Sequence, residues 1–365
     1  MNRLKRIISL AMAAVLSLSL LTGCSKEPEY TKYNGSIWDS FDTIITTVSF
    51  HQSQEEFDQF MHFTQERYQY LHRLFDIYHS YPDMNNAKTI NDNAGVAPVK
   101  VEKELFDLIK FGMEWHEKTD GKINIAMGSV LKIWHDVREY AKYNDDPYLP
   151  DMAKLENANQ HTSIENIVLD EADMTVYITD PETSLDLGAI AKGYATELIC
   201  TELAKTYPSF AISAGGNVRV NGSPMDGRTR WGIGIENPAV DENYHMIGGN
   251  LDLSFLYGSQ SLVCSGGYQR FFVHDGQRYH HLIDPETLFP KNTYLGVSIL
   301  CQDSGVADAL STAIFMMEPQ QAIDFINTID NAECILVPEN GDIIITDGFK
   351  THLESFGATS KSPIE

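Results

Sequence analysis

The stretch Leu185–Glu197, with the sequence LDLGAIAKGYATE, constrains this chain more than any other segment. It combines one carboxylate, Asp186, with glycines, one lysine, Lys192, and the apolar start of a helix. Glycine lets the backbone approach a ligand closely, and a helix N-terminus presents unpaired N–H groups to anions. A lysine there adds a positive charge for a phosphate. Two interpretations remain open: a ligand-binding turn before a helix, or a plain strand, turn and surface helix with a solvated lysine.

Helical and strand patterns alternate along the chain, and several strands are joined by short turns. Apolar spacing predicts helices over residues 54–78, 102–118, 131–140, 196–206 and 308–317. Strand patterns occur within 36–50 and at 167–169, 175–178, 211–214, 231–236, 297–301 and 342–346. The pair Asp275-Gly276 predicts a tight hairpin between 270–274 and 278–283. Strands joined in this way favour a mixed α+β fold over a doubly wound parallel sheet.

Residues 1–23 have the features of a signal peptide. Basic residues precede the apolar run Ile7–Leu21, which is short for a membrane-spanning helix. The run leads into Leu-Thr-Gly-Cys, ending at Cys24, which resembles the lipobox of bacterial lipoproteins. The resemblance implies cleavage before Cys24, lipidation of Cys24, a tether over 24–35, and a location at the extracytoplasmic face of the cell membrane. An ordinary secretory signal is the alternative interpretation.

The charge balance limits the partners of the folded chain. Acidic residues outnumber basic residues by 51 to 27, so the formal net charge is −24. Nucleic acid is excluded as a partner because binding its phosphates needs a basic surface. The folded body is likewise not expected to adhere to anionic lipid, which leaves the lipid anchor as the sole membrane contact. An anionic ligand must therefore be held by local lysines, backbone amides or a metal ion.

The cysteines beyond Cys24 indicate no metal site. Cys200, Cys264, Cys301 and Cys334 lie in neither a Cys-x-x-Cys motif nor a Cys/His metal spacing. An exported chain could pair them, but the pairing cannot be derived from the sequence. Buried free thiols are an equally good interpretation.

Asp308 and Thr312 are four residues apart at the predicted start of a helix. This spacing places their side-chain oxygens on one face of the helix. A carboxylate and a hydroxyl are hard-oxygen ligands suited to Mg²⁺, which keeps its other positions for water, carbonyls and phosphates. The alternative is that Asp308 caps the helix while the threonine bonds to its own backbone. Spacing alone favours this alternative.

The sequence His280-His281-Leu282-Ile283-Asp284-Pro285 ends a predicted strand. Alternation along a strand places His281 and Ile283 on one face. A histidine there could act as a general base, bind a transition metal with its neighbour, or simply pack. The usual Walker A, complete G-x-G-x-x-G and G-x-S-x-G motifs are all missing from the sequence.

Taken together and in order, these motifs resemble the ApbE family of flavin transferases, which move FMN from FAD onto protein. The matching segments are 186–195 (DLGAIAKGYA), 213–217 (SAGGN), 231–238 (WGIGIENP), 265–268 (SGGY), 281–287 (HLIDPET) and 307–312 (ADALST). Fainter matches occur at 41–43 and 121–128. The resemblance implies an α+β, T-fold-like architecture of mixed sheets with flanking helices in two closely associated subdomains. It covers a domain over 36–350 and leaves 351–365 as a flexible tail.

The resemblance also implies roles for individual residues. Asp308 and Thr312, with the backbone carbonyl of Ala189, would hold Mg²⁺, and His281 and Asp308 would be the catalytic residues. FAD would be bound by Phe41, Lys122, Ile123, Asn124, Asp186, Lys192 and Ile283. Two departures concern the flavin contacts: Asn124 replaces the family's usual aspartate, and Leu288-Phe289-Pro290 replaces its usual Gly-x-Pro.

The activity implied by the resemblance is Mg²⁺-dependent transfer of FMN from FAD to a Ser or Thr hydroxyl of exported redox or flavin-carrying proteins. AMP would be released, because attack occurs at the FMN-side phosphorus. Two alternatives remain: a FAD pyrophosphatase, in which water replaces the acceptor hydroxyl, and a flavin-binding lipoprotein without chemistry.

Overall fold

The computed structural model describes residues 29–242, 244–268 and 270–363. The signal peptide predicted over 1–23 and the lipidation site Cys24 lie outside these residues. Among the helices of the described part, none is long and apolar enough to cross a membrane.

The described residues form both strands and helices, with eight strands in succession from Phe210 to Cys301. The strands are β1 (Thr31–Ser40), β2 (Thr43–His51), β3 (Val99–Lys100), β4 (Ile167–Asp170), β5 (Thr175–Ile178), β6 (Phe210–Ala214), β7 (Asn217–Asn221), β8 (Trp231–Glu236), β9 (Asn250–Leu256), β10 (Gln260–Gly266), β11 (Phe271–His274), β12 (Gln277–His280), β13 (Tyr294–Cys301), β14 (Glu333–Pro338) and β15 (Ile344–Ile345). The α-helices are α1 (Gln54–Phe75), α2 (Ala87–Asp92), α3 (Lys103–Lys118), α4 (Gly128–Tyr143), α5 (Met152–Asn159), α6 (Ala191–Leu203), α7 (Ser304–Phe315), α8 (Pro319–Ile326) and α9 (Asp347–Lys350). Short 3₁₀ turns occur at Ile164–Asn166 and Glu354–Phe356.

An eight-stranded sheet organises the fold, in the order β1-β2-β6-β7-β10-β13-β14-β15. Every neighbouring pair in it runs antiparallel. Smaller antiparallel units are β8–β9, β11–β12 and the three-stranded β3-β5-β4. The mixed α+β prediction is confirmed, and the Asp275-Gly276 hairpin joins β11 to β12 as predicted.

The two faces of the large sheet carry separate cores. On one face α6 and α7 pack against the sheet and against each other, and α1 packs on α6. On the other face the β8–β9 hairpin supplies Trp231 and Leu256, which pack with Phe50 and Leu300. Strand alternation explains the division, because Ile299 contributes to the first core and its neighbour Leu300 to the second.

A third core lies between α4, α5 and the β11–β12 hairpin. It is built around Trp134, which packs with Phe272, Tyr279 and Leu288. The indole N–H of Trp134 donates to the carbonyl of Leu288 at 2.8 Å, so the buried polar atom is satisfied. This core fixes the segment after His281 against α4.

The two helices that carry Lys192 and Asp308 begin earlier than their sequence patterns indicated. Helix α6 begins at Ala191 rather than Thr196, which places Lys192 and Gly193 in its first turn. Helix α7 begins at Ser304, and its N-cap is Asp303, whose side chain accepts from the N–H of Val306. The interpretation of Asp308 as a helix cap is therefore wrong. Asp308 lies in the second turn, where its carboxylate is free for other contacts.

Both ends of the predicted domain also need correction. The expected tether over 24–35 overlaps β1, which begins at Thr31 and pairs with β2 from its first residue. The expected flexible tail is packed over its described part: Leu353 is buried, and the carbonyl of Ser360 accepts from the N–H of Arg230 at 3.1 Å. Main-chain hydrogen bonds hold both segments on the folded domain: the first pairs with β2, and the second bonds to the main chain at Arg230.

The four cysteines of the described part are free thiols. Cys200, Cys301 and Cys334 are buried, and Cys264 is half-buried. Burial raises the pKa of Cys264 to about 11 and that of Cys334 to about 12, so both stay protonated at neutral pH. The free-thiol interpretation is confirmed.

Candidate active site

Helices α6 and α7 meet at Gly193 with almost no space between their backbones. A Cβ atom on Gly193 would lie 2.3 Å from the carbonyl oxygen of Ser304 and 2.4 Å from Cβ of Asp308. Only glycine fits at such distances. Gly193 therefore does not form a turn; it allows the close contact that brings Asp308 to the first turn of α6.

Asp308 is held in this contact by the backbone of α6. Its side chain is buried, and its Oδ2 accepts from the N–H of Gly193 at 2.8 Å. Burial raises the pKa of Asp308, while Lys192, the Gly193 N–H and the side chain of Asn217 counteract this effect. A second positive charge would stabilise the ionised form of this buried carboxylate, which has one cation nearby.

The backbone carbonyl of Ala189 lies immediately before α6. The N–H of Gly193 belongs to the first turn of this helix, whose N–H groups have no acceptor within the helix. It donates to Asp308, and Tyr194 makes the first regular bond of the helix, to Ile190 at 3.1 Å. The oxygen of Ala189, one residue before the N-cap Ile190, is therefore not used by the helix.

The oxygen donors at this contact fit a hard divalent cation. Thr312 lies one turn after Asp308 on α7. Next to Asp308, Oδ1 of Asn217 is buried without a hydrogen-bond partner in the described part of the chain. No group of three His, Cys, Asp or Glu side chains that could bind a metal occurs among the described residues. A metal here would rely on one carboxylate, a hydroxyl and carbonyls, which is the donor set of Mg²⁺.

A buried ion pair fixes the two helices beside this position. Arg219 on β7 donates to both carboxylate oxygens of Glu197 on α6, at 2.7 and 3.0 Å. The same carboxylate accepts from the N–H of Ser304, the first residue of α7, at 2.8 Å. Glu197 thus connects α6, α7 and the central sheet, one helical turn from Gly193.

A cleft opens beside Lys192 and contains several of the predicted flavin-binding residues. It is lined by Phe41, Asp42, His72, Phe75, Asp76, Ile77, Tyr78, Asp186, Leu187, Gly188, Ala191, Lys192 and Arg270. Phe41 and Asp42 form the two-residue turn between β1 and β2, with φ of 56° and 50°. The single strand predicted within 36–50 is therefore a hairpin, and its turn presents Phe41 to the cleft.

Asp186 is positioned by main-chain bonds on both sides. Its N–H donates to the carbonyl of Ile125, and its Oδ1 accepts from the N–H of Gly188, at 2.9 and 2.8 Å. Burial raises the pKa of Asp186, and the Gly188 N–H, His135 and Arg138 oppose this effect. The carboxylate keeps acceptor capacity for a ligand at the cleft wall.

His281 lies in a cationic environment. Burial is the largest cause that lowers its pKa, and together with His280, Arg270, Arg138 and Lys192 it brings the pKa to about 3. The Nδ1 atom of His281 is buried and has no hydrogen-bond partner in the described part of the chain. A neutral imidazole in this position can accept a proton, and the surrounding cations favour an anionic ligand.

The remaining predicted flavin-binding residues are not among those that line the cleft. Lys122 pairs with Glu286, and Ile123 is buried in the first core. The side chain of Asn124 is occupied, because it donates to the carbonyl of Thr162 and accepts from the N–H of Ala126. Ile283 is buried in the third core. These side chains are engaged in the fold itself, whereas Phe41, Asp186 and Lys192 line the open cleft.

Three residues of the cleft region were not predicted from the sequence: Tyr78, Arg138 and Arg270. Tyr78 and Arg270 line the cleft, and the Tyr78 ring packs on His135 at 5.2 Å, next to Arg138. Burial, and then Asp186, raise the pKa of Tyr78 to about 12. The sequence contained only a weak indication of these arginines: basic residues are few in so acidic a chain, so each arginine is a candidate for binding an anion.

Comparisons with known proteins agree with this fold. The sequence pattern of the ApbE family matches residues 41–336. The FAD:protein FMN transferase of Klebsiella pneumoniae (strain 342) is 30% identical over 289 residues, or 75% of this chain and 84% of that protein. The FAD:protein FMN transferase of Treponema pallidum (strain Nichols) is 32% identical over 262 residues, or 68% and 69%.

A solved structure extends the match to the fold. The crystal structure of the ApbE protein from Thermotoga maritima superposes with a TM-score of 0.73 at 28% identity, covering 89% of this chain and 99% of that chain. Fold and site together define an α+β protein with a buried carboxylate at the contact of two helices and an open cleft beside it. The chain belongs to the ApbE family.

Proposed function

We propose that this FAD:protein FMN transferase uses Mg²⁺ and transfers FMN to a Ser or Thr hydroxyl of an acceptor protein, with release of AMP. Family membership and the relatives' shared activity support transfer from FAD. The observation that carries the metal assignment is the hydrogen bond from the N–H of Gly193 to Asp308, which fixes this carboxylate at the first turn of α6, directly after the segment that contains Ala189.

Asp308, Thr312 and the carbonyl of Ala189 would hold the ion. Bound there, Mg²⁺ would neutralise charge on the phosphates of FAD during an in-line displacement. A metal also reconciles binding of an anionic substrate with a net charge of −24.

The residues of the chain account for the rest of the reaction. The acceptor hydroxyl forms a bond to the FMN-side phosphorus while the bond from that phosphorus to the bridging oxygen breaks, and AMP leaves with that oxygen. His281 takes the proton of the hydroxyl. Burial, and then the neighbouring positive groups, lower its pKa, so the ring is unprotonated at physiological pH before the reaction begins. Asp186 and Lys192 bind FAD at the wall of the cleft.

The acceptors would be exported redox or flavin-carrying proteins. This part of the proposal rests on the lipobox-like sequence ending at Cys24, which would anchor the enzyme on the extracytoplasmic face of the cell membrane. Acceptor and enzyme would then share one compartment.

One incubation tests the function against its two alternatives. A chain beginning after Cys24 is mixed with FAD, Mg²⁺ and a candidate exported redox domain, and the acceptor is analysed by intact mass and flavin fluorescence. Transfer predicts a fluorescent acceptor heavier by one FMN and an equal amount of AMP. FMN and AMP without labelling would indicate a pyrophosphatase, and no turnover would indicate a flavin-binding protein.

A further inference from the structure

Two arginines beside the cleft lack carboxylate partners in a chain rich in carboxylates. Among the described arginines, Arg67, Arg73, Arg219, Arg228 and Arg278 form ion pairs. Arg230 is bound by the carbonyl of Pro363 and stacks over Tyr257. For Arg138 and Arg270, no ion pair with any described residue is found.

The two arginines come from distant parts of the chain to one place. Arg138 on α4 contacts Nδ1 of His135 at 3.3 Å, and the ring of His135 packs on Tyr78 in the cleft lining. Arg270 precedes β11 and lines the same cleft together with Lys192. Burial and the proximity of Arg270 lower the pKa of Arg138, which is consistent with two like charges at close range.

The groups around the arginines leave most of their donors unused. Arg270 donates to the main-chain carbonyl of Asp42 at 3.4 Å, a long contact. Glu139 and Asp186 partly offset the lowering of the pKa of Arg138, but Oδ1 of Asp186 already accepts from Gly188, and no ion pair of Arg138 with a described carboxylate is found. Each guanidinium has five N–H donors. Two such groups at one cleft, without an ion-pair partner among the described residues, favour binding of an anion with several oxygens.

We propose that Arg138 and Arg270 bind the diphosphate of FAD on the side of the cleft away from the Asp308 metal position. A guanidinium matches phosphate oxygens with two parallel hydrogen bonds, which a lysine cannot provide. Lys192 lies between the two sides, since its positive charge lowers the pKa of both Asp308 and His281. The inference rests on the proposed function for the identity of FAD but concerns binding alone.

The test is equilibrium binding without metal. The full-length chain in detergent and excess EDTA is titrated with FAD, with ADP and with riboflavin, and affinity is measured by calorimetry. Riboflavin carries the flavin without phosphate, and ADP carries a diphosphate without flavin. The variants are Arg138→Gln and Arg270→Gln, and Arg228→Gln is the matched control, because it removes one charge from an ion pair on a distant turn.

Each cleft variant is expected to weaken binding of FAD and ADP about tenfold or more and to leave riboflavin binding within about twofold. Their binding should also depend less on salt. The control should match the wild type. Unchanged FAD affinity in Arg270→Gln would overturn the proposal, as would equal losses for FAD and riboflavin. Arg270 is exposed, so this variant is decisive even if Arg138→Gln fails to fold.

The outcome is separable from that of the proposed function. If the wild type binds FAD through these arginines but transfers no FMN in the presence of Mg²⁺, the phosphate site stands and the transferase assignment fails. If transfer proceeds and the arginine variants bind FAD normally, the transferase assignment stands and this inference fails.

Discussion

The proposed metal side of the site lies between α6 and α7, whereas the proposed phosphate side lies in an open cleft lined by loops, a hairpin turn and the ends of α1 and α6. On the metal side, Asp308 and Glu197 accept hydrogen bonds from backbone N–H groups of the opposite helix, and Gly193 allows direct helix contact. On the phosphate side, Arg138 and Arg270 have few partners among the described residues. The first side is preorganised by packing, and the second would be completed by its ligand. Substitutions should therefore affect the two sides in different ways.

The largest expected effect is the loss of FMN transfer in the Asp308→Asn variant. The substitution keeps the shape of the side chain but removes the charge needed for the cation, so transfer should fall by at least about a hundredfold. Acceptor labelling by flavin fluorescence measures it. Asp303→Asn is the control, because it alters only the N-cap of α7. Labelling by Asp308→Asn at the wild-type rate would show that the metal side is not catalytic.

The largest stability effect is expected for Glu197→Ala. It leaves Arg219 buried without its partner and Ser304 without its acceptor, at a cost of about 3–5 kcal/mol. Urea unfolding measures the loss. Glu202→Ala, which breaks a more exposed pair with Arg67, should cost no more than about 1 kcal/mol. An equal loss of unfolding free energy in the two variants would contradict the role of Glu197 in connecting α6, α7 and the central sheet.

Gly193→Ala tests the helix contact directly. The added Cβ would clash with Ser304 and Asp308, so the helices must separate, at a cost of about 1–3 kcal/mol. Mg²⁺ should bind more weakly to this variant. Gly232→Ala on β8 is the control, because its nearest neighbour is a Phe255 ring atom at 3.3 Å. Normal stability and metal affinity in Gly193→Ala would rule out the tight contact.

His281→Asn should change the pH dependence of stability. The folded pKa of about 3 lies below the unfolded value near 6.5, so the unfolded chain binds more protons at intermediate pH, and stability falls as pH drops below about 6.5. Removing His281 should eliminate about 2 kcal/mol of this loss at pH 5. Urea unfolding at pH 7 and pH 5 measures it.

His161 supplies a control of opposite sign. Asp180 raises its pKa, so His161 stabilises the fold at low pH, and His161→Asn should make acid unfolding worse. If both variants shift acid stability in the same direction, the buried and neutral state of His281 is wrong.

The residues of the proposed metal side lie in two compact motifs. The segments 186–195 and 307–312 each keep their members within a few positions, so resemblance to a family pattern can reveal them, although the spacing of Asp308 and Thr312 alone cannot. The predicted helix boundaries were less accurate. Ala191 begins α6 after Ile190, which makes no side-chain cap, so contacts with α7 decide its first turn. For α7 the typical N-cap Asp303 was present in the sequence but was not recognised.

The phosphate side was not predictable in the same way. Tyr78, Arg138 and Arg270 are widely separated in sequence, and no spacing rule links them. The turn at Phe41 also gave no signal, because two non-glycine residues with positive φ lack the usual Asn-Gly or Asp-Gly sequence. Only the folded chain brings these residues together.

Calorimetric titration of Mg²⁺ into the FAD-bound chain tests the central claim most directly. The wild type should bind one Mg²⁺ per chain, and Asp308→Asn should show no measurable binding under the same conditions. Arg270→Gln, once saturated with FAD, should bind Mg²⁺ nearly as the wild type does, because its role is on the phosphate side. Binding of Mg²⁺ by Asp308→Asn with wild-type affinity would contradict the assignment of the metal to the contact between α6 and α7.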